Sequence, residues 1–247
     1  MMSGIAREPG RDCRDHSVGP LAVWQQKVLG CLPLTSYAHE PGTQYLYSNI
    51  GYASLGIAIE RAGGAPFTDQ VIDGIVKPLA MTRTGWEASA ALRTDLAHGY
   101  TRRDGKADRR RPDAELDGRG YRVPNGNLFS TVTDLARFVM WELGALKAPV
   151  INPEMQTFNY ARTYSANGTM SSGYGLGFQA TRRGNLVFLG HGGSTAGFRA
   201  SALFEPRSRT GVVVLRNAEG GSFDAGRVAQ RILEQVAQAA PTHPASR

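Results

Sequence analysis

Tyr47-Ser48-Asn49 sets a phenol and a carboxamide two residues apart, within Pro41-Gly42-Thr43-Gln44-Tyr45-Leu46-Tyr47-Ser48-Asn49-Ile50-Gly51-Tyr52. A tyrosine whose pKa is lowered from about 10 by a nearby cation can accept a proton from a serine hydroxyl. Asn49 carries both a donor and an acceptor and can hold a substrate amide. The competing assignment is structural, with Tyr47 packing and Asn49 capping a helix. About 140 residues later, His191-Gly192-Gly193-Ser194 opens a glycine-rich strand. Gly192 and Gly193 let an extended ligand approach the backbone along a strand edge. The Ser194 N–H can face a developing oxyanion, where one such donor is worth roughly 3 kcal/mol. Here the structural alternative is a turn histidine beside a tight bend. Acyl transfer through a serine ester would use all these groups, yet nowhere does a Ser stand three residues before a Lys.

The elements that must position these residues follow from apolar spacing. Ser48 or Asn49 caps a helix on which Ile50, Ala53, Ile57 and Ala58 recur at helical spacing. Leu55, Ile59 and Ala62 fall on another side, so this helix is expected to be buried over much of its surface, and Gly63-Gly64 ends it. A second helix is expected from a cap near Thr68, with Val71, Ile72, Ile75 and Val76 on one face and Pro78 beyond it. Residues 85–125 read as a long irregular excursion. Thr131-Val132-Thr133-Asp134 is a capping box for a third helix through Leu135, Phe138, Val139 and Leu143, closed by Gly144.

After about residue 172 the pattern turns to strands: Tyr174–Phe178, Asn185–Leu189, Arg199–Phe204 and Gly211–Leu215. The last has no polar alternation and is expected to be buried on both faces. Ala225, Val228, Ala229, Ile232 and Val236 form an amphipathic helix suited to pack on that sheet. The plan is α+β, a single domain over 1–247. It comprises a poorly defined lead segment at 1–37, a mainly helical lobe at 38–172, and sheet strands with a closing helix at 173–238.

Bulk properties exclude more than they assign. The chain has 247 residues, 41% hydrophobic and 20% charged, which suits a globular core. It has no apolar run long enough to span a membrane, and Met1–Asp15 has no apolar signal-peptide core. Cys13 and Cys31 lack metal-like spacing, and their pairing and the compartment stay open. Of the net charge of +7, residues 102–111 supply +4 through Arg102, Arg103, Lys106, Arg109, Arg110 and Arg111 against Asp104 and Asp108. No aromatic is interleaved to stack on bases, so a solvated loop is expected there and nucleic acid is not an expected partner. No G-x-S-x-G, H-E-x-x-H, P-loop or G-x-G-x-x-G string occurs. His16, His39, His98 and His243 are scattered without ligand spacing, so neither metal nor cofactor is expected.

The register of the motifs adds a resemblance. Pro41-Gly42-Thr43…Tyr47-Ser48-Asn49…Gly51-Tyr52…Leu55-Gly56…Glu60…Gly63 resembles the middle motif of the serine β-lactamase and penicillin-binding-protein superfamily. The match is to its class C β-lactamase, DD-peptidase and esterase branch. Lys77-Pro78-Leu79-Ala80-Met81…Thr84 and Asn127-Leu128-Phe129-Ser130-Thr131…Asp134-Leu135-Ala136-Arg137-Phe138 look like two further family segments. His191-Gly192-Gly193-Ser194-Thr195-Ala196-Gly197-Phe198…Phe204-Glu205-Pro206…Gly211-Val212-Val213-Val214-Leu215-Arg216-Asn217 looks like its third motif and last two strands. The likeness runs from about residue 38 to 236.

The resemblance implies a β-lactamase/transpeptidase-like fold and a small-molecule or peptide substrate. Tyr47 would be the general-base partner, Asn49 the amide anchor and His191 the third-motif residue. Gly192 and Gly193 would line the substrate, and Ser194 N–H would serve the oxyanion hole. The family's nucleophile sits in an S-x-x-K helix upstream of these segments, and this chain carries no such string. Met2-Ser3-Gly4-Ile5 looks like the end of the segment that follows that helix. The nucleophile helix and first strands are therefore expected before Met1, as in a fragment or a late-assigned start, rather than in a non-catalytic, ligand-binding descendant. Their loss would leave the Gly211–Leu215 strand unpaired and the isolated chain poorly soluble. Class C β-lactamases carry lysine where His191 stands, so peptide or ester hydrolysis is expected over efficient β-lactam hydrolysis.

Overall fold

The computed structural model describes residues 2–86, 90–149, 164–165 and 171–240. The chain divides into two compact units, residues 1–76 with 83–129 and residues 77–82 with 130–247.

In the first unit the lead segment is held by pairing rather than by periodic apolar residues, which is why its sequence shows no pattern. Ala6 and Gly10 donate to the Ser36 and Leu34 carbonyls (both 3.0 Å), Ala38 donates to Gly4 (2.8 Å), and Ile5 bridges Tyr37 antiparallel. Helix α1 (Trp24–Cys31) ends at a disulfide from Cys31 to Cys13, with the two Cα atoms 5.7 Å apart. Both cysteines lie in a core with Trp24, Val28, Phe67 and Trp86.

Helix α2 (Asn49–Gly63) is capped by Ser48, whose Oγ accepts from Gly51 N–H at 2.9 Å and donates to the Ala6 carbonyl at 2.8 Å. Only its Ile50, Ala53, Gly56 and Ile57 stripe is buried. Leu55 and Ile59 are exposed, because a single face of the helix meets the core, so the expected burial over much of the surface does not extend to their side. Helix α3 (Phe67–Val71) starts after Pro66, not at Thr68, and has no side-chain cap from its own N-cap residue. Glu60 of α2 supplies the acceptor instead, taking the Phe67 N–H at 2.9 Å. A π-helical stretch, Ile72–Val76, continues the chain and buries Val76.

The supposed irregular excursion contains helix α4 (Ala90–Asp95), a hairpin of β1 (Thr101–Arg103) and β2 (Lys106–Asp108), and helices α5 (Arg110–Glu115) and α6 (Val123–Gly126). Asp104 and Gly105, at φ 50° and 76°, make the two-residue turn that a hairpin favours. The basic cluster is partly neutralised: Arg110 pairs with Asp108 at 2.8 Å, Arg109 with Asp113 and Arg111 with Glu115 at 3.4 Å. Hydrogen bonds from Arg110 hold the Asp108 carboxyl down at about 2.

Among its described residues the second unit holds a six-stranded antiparallel sheet in strict sequence order. Its strands are β3 (Tyr164–Ser165), β4 (Ser172–Tyr174), β5 (Gln179–Arg183), β6 (Leu186–Thr195), β7 (Phe198–Glu205) and β8 (Thr210–Arg216). The expected single strand over 174–178 is broken by a turn at Gly175–Gly177, where Gly175 N–H donates to the Phe178 carbonyl at 2.8 Å. Helix α7 (Val132–Glu142) is capped by Thr131, which accepts from Asp134 N–H at 3.2 Å. It packs through Val139 on Leu189, Phe204 and Val213. Helix α8 (Ala225–Ala239), capped by Asp224, packs through Ala229, Leu233 and Ala237 on Leu186, Phe188 and Leu203. Alternate β6 residues therefore serve opposite faces, and both faces are apolar. In β8, Val212 and Val214 face α8 and Val213 faces α7. All three remain half-buried, because β8 ends the sheet and pairs only with β7 among the described residues.

Candidate active site

His191 lies in the middle of β6 rather than at a strand's start, since β5 pairs with Leu186–Gly190 and β7 pairs with Leu189–Thr195. Its register partner is Ala202, followed by Gly192↔Ser201, Gly193↔Ala200 and Ser194↔Arg199. On the other side β5 pairs no further than Gly190, opposite Gln179. Among the described residues no strand pairs with Gly192–Thr195 on that side, and alternate residues turn their N–H and C=O groups toward it. Gly192, Gly193 and Ser194 are all exposed.

The glycines divide by what a side chain would meet. A Cβ on Gly190, at φ 145°, would lie 2.0 Å from the Ala202 carbonyl oxygen, so the fold itself demands glycine there. A Cβ on Gly192 or Gly193 would meet nothing closer than 3.5 Å. The packing of the chain therefore leaves these two positions free for a side chain, and glycine keeps the open edge clear.

The His191 ring packs edge-on against Tyr174 at 5.8 Å, and its Nδ1 sits 2.5 Å from the Gly192 carbonyl oxygen. Burial pushes its pKa below the usual histidine value, and the Gly192 carbonyl offsets this only in part. Near pH 7 the ring is neutral. At the end of β6, Glu219 accepts from Gly197 N–H at 3.3 Å and pairs with Arg199 at 3.3 Å, bracing the β6–β7 turn.

Tyr47 and Asn49 belong to the first unit. The Arg7 guanidinium lies over the Tyr47 ring, 5.0 Å from its centroid. This is the expected cation, yet the balance goes the other way: burial raises the Tyr47 pKa more than Arg7 lowers it, and Tyr52 and Glu8 add to the rise. As it stands in this chain, the phenol stays protonated at neutral pH. Asn49 N–H donates to the Arg7 carbonyl at 2.9 Å. Its side chain is also engaged, with Nδ2 donating to Glu8 Oε1 and Oδ1 accepting from Asn125 Nδ2 at 3.0 Å. Glu8 Oε2 accepts from the Tyr121 hydroxyl at 2.6 Å and lies 3.6 Å from Arg122 Nη2. Burial, then the bond to Glu8, pushes the Tyr121 phenol up to about 12. Ser48, between the two candidates, is the cap and not a reactive hydroxyl.

Glu8, Arg7, Tyr121 and Asn125 escaped sequence reasoning. Glu8 sits 41 residues before Asn49 in a segment without periodicity, and nothing local marks it. His39 and His98 contact the Glu40 carbonyl and Arg109, while the His16 side chain and His243 lie outside the described residues.

A family model described as Beta-lactamase matches residues 15–237. The chain belongs to the beta-lactamase family. This beta-lactamase-family chain is 24% identical over 179 residues to Protein flp of Staphylococcus aureus (strain NCTC 8325 / PS 47), an alignment spanning 72% of this chain and 34% of flp. It therefore spans about a third of the length of the curated relatives it matches. Among solved structures it is similar to a class C beta-lactamase, with TM-score 0.74 and 19% identity over 98% of this chain and 68% of that one. It is also similar to the D-amino acid amidase of Ochrobactrum anthropi SV3 complexed with D-phenylalanine, with TM-score 0.71 and 17% identity over 96% and 70% of the two chains. At these identities the likeness establishes the α+β beta-lactamase/transpeptidase fold.

Proposed function

We propose that this chain carries the recognition elements of a penicillin-binding-protein-like serine hydrolase that acts on amide or ester bonds of small or peptide substrates. The observation that carries it is the open half-edge of β6. Among the described residues no strand pairs with Gly192–Thr195 on the β5 side, so their backbone can meet an extended ligand, and the two glycines leave that edge clear. In this assignment Gly192 and Gly193 line the ligand and the Ser194 N–H serves the oxyanion. Asn49 holds a substrate carbonyl. Neutral His191 is a hydrogen-bonding group rather than a fixed cation, which favours uncharged amides and esters over β-lactam carboxylates. The chain holds no S-x-x-K string, so no residue is assigned as nucleophile.

A second assignment, a non-catalytic module that only binds such ligands, is favoured by one observation: the Tyr47 phenol is raised and poorly suited to take a proton at neutral pH. Two measurements separate the possibilities. A fluorescent penicillin or fluorophosphonate is expected to leave the 247-residue chain unlabelled. D-Phenylalanine amide, added during amide NMR, is expected to shift the Gly192, Gly193 and Ser194 resonances, and the Gly193→Val variant is expected to lose that response. Stoichiometric labelling would overturn the absence of a nucleophile. A silent β6 edge would overturn both assignments.

A further inference from the structure

Asn49 has a symmetric outline, with an oxygen and an NH2 of nearly equal size, so its surroundings decide which end points where. Here the decision is made by a carboxylate. Glu8 can only accept, so the group of Asn49 facing its Oε1 must be Nδ2. Asn49 Oδ1 is then left for the Asn125 amide, which turns Nδ2 toward it at 3.0 Å. That in turn leaves the buried Asn125 Oδ1 without a hydrogen-bond partner among the described residues. Polarity passes in one direction along Glu8, Asn49 and Asn125. At the other end Glu8 is pinned by the Tyr121 hydroxyl at 2.6 Å, and Tyr121 is itself only 2% exposed. Arg122 donates to the Tyr121 oxygen at 3.1 Å, which leaves the phenol hydrogen for Glu8.

We propose that Glu8 is a positioning residue that fixes which end of the Asn49 carboxamide is offered to a ligand. With Nδ2 held by the carboxylate, one N–H of Asn49 remains, made a better donor by its charged neighbour. That polarity suits a ligand carbonyl oxygen, as in an amide or ester, and disfavours a donor group at the same spot. The ligand part of this inference rests on the proposed function, while the orientation of Asn49 does not.

Glu8→Gln tests the polarity without changing shape. The glutamine oxygen is claimed by the Tyr121 hydroxyl, so its NH2 meets Asn49 and can only be matched if Asn49 turns its Oδ1 toward it. Asn125 then flips as well and finally uses its orphaned Oδ1. Side-chain amide 15N–1H spectra of the full chain read this directly, with the Asn49 signals assigned by their loss in Asn49→Asp. Glu8→Gln is expected to move the Asn49 and Asn125 side-chain signals and leave the melting transition in place. It should weaken binding of D-phenylalanine amide about tenfold, the scale of one lost charge-assisted hydrogen bond. Glu8→Asp, which keeps the charge, should recover part of that loss.

Unmoved Asn49 signals in Glu8→Gln would overturn the assignment. If that variant does not fold, Asn125→Asp sets a second carboxylate against Asn49 and should move the same signals, and their failure to move there is equally fatal. If D-phenylalanine amide shifts nothing in the unaltered chain while Glu8→Gln still turns Asn49, the hydrolase-type function fails and the positioning role of Glu8 stands.

Discussion

Removing the Cys13–Cys31 disulfide should unfold the first unit far more easily and leave the sheet unit alone. The cysteines are 18 residues apart in sequence, and closing a loop of that size removes about 3 kcal/mol of chain entropy from the unfolded state. Both side chains are buried in the Trp24–Phe67–Trp86 core, so a Cys13→Ala/Cys31→Ala double variant also loses a little packing. The same core supplies the reporter. Trp24 and Trp86 flank Phe67 at centroid distances of 6.0 and 5.5 Å, whereas Trp141 is buried in the other unit on α7. In a Trp141→Phe background, tryptophan emission during urea unfolding therefore follows the first unit alone. With an m-value of about 2 kcal/mol/M, the midpoint should fall by roughly 1.5 M in the double variant. Dithiothreitol should produce a similar shift in the parent and none in the variant. A midpoint unchanged by either treatment would refute the claim that this staple holds the lead segment, and with it Arg7 and Glu8, in place.

Three further outcomes are expected. Gly190→Ala should destabilise the sheet by roughly 2–4 kcal/mol through its positive φ and the clash with Ala202, while Gly192→Ala should cost well under 1 kcal/mol, as thermal melts of the two variants will show. His191 has a folded-state pKa below its unfolded value, so the unfolded chain binds more protons on acidification; stability is intact above about pH 6.5 and falls as the pH drops below it. His191→Gln should flatten that limb in melts taken across the range. The open edge of β8, with Leu215 37% exposed, should drive concentration-dependent light scattering, which Leu215→Lys should reduce.

Where local chemistry dictated the outcome, the sequence was enough. Ser48 and Thr131 cap their helices because each is followed by an apolar helical pattern that leaves N–H groups to satisfy. The valine run of β8 does lie between two helices, but its half-exposure depends on which strand ends the sheet, and strand order is not written in the strand. The hairpin's one local signal is its Asp104-Gly105 turn, which stands among charged residues without the apolar alternation that marks a strand. Helix α3 could not be placed correctly from its own residues, since its cap is Glu60, seven residues upstream. The site divides in the same way. The glycines and His191 announce themselves by type, whereas the Glu8–Asn49–Asn125 relay joins residues 41 and 76 positions apart and exists only once the chain has folded.

Every strand of the large sheet pairs with its immediate neighbours in sequence, from β3 through β8. The ladder can therefore be assembled one hairpin after another, each closing a short loop, without waiting for distant segments to meet. Such local wiring goes with rapid folding. It also means that, among the described strands, β6 is paired by β7 alone over Gly192–Thr195. During synthesis each hairpin of the sheet can close as soon as its second strand has emerged.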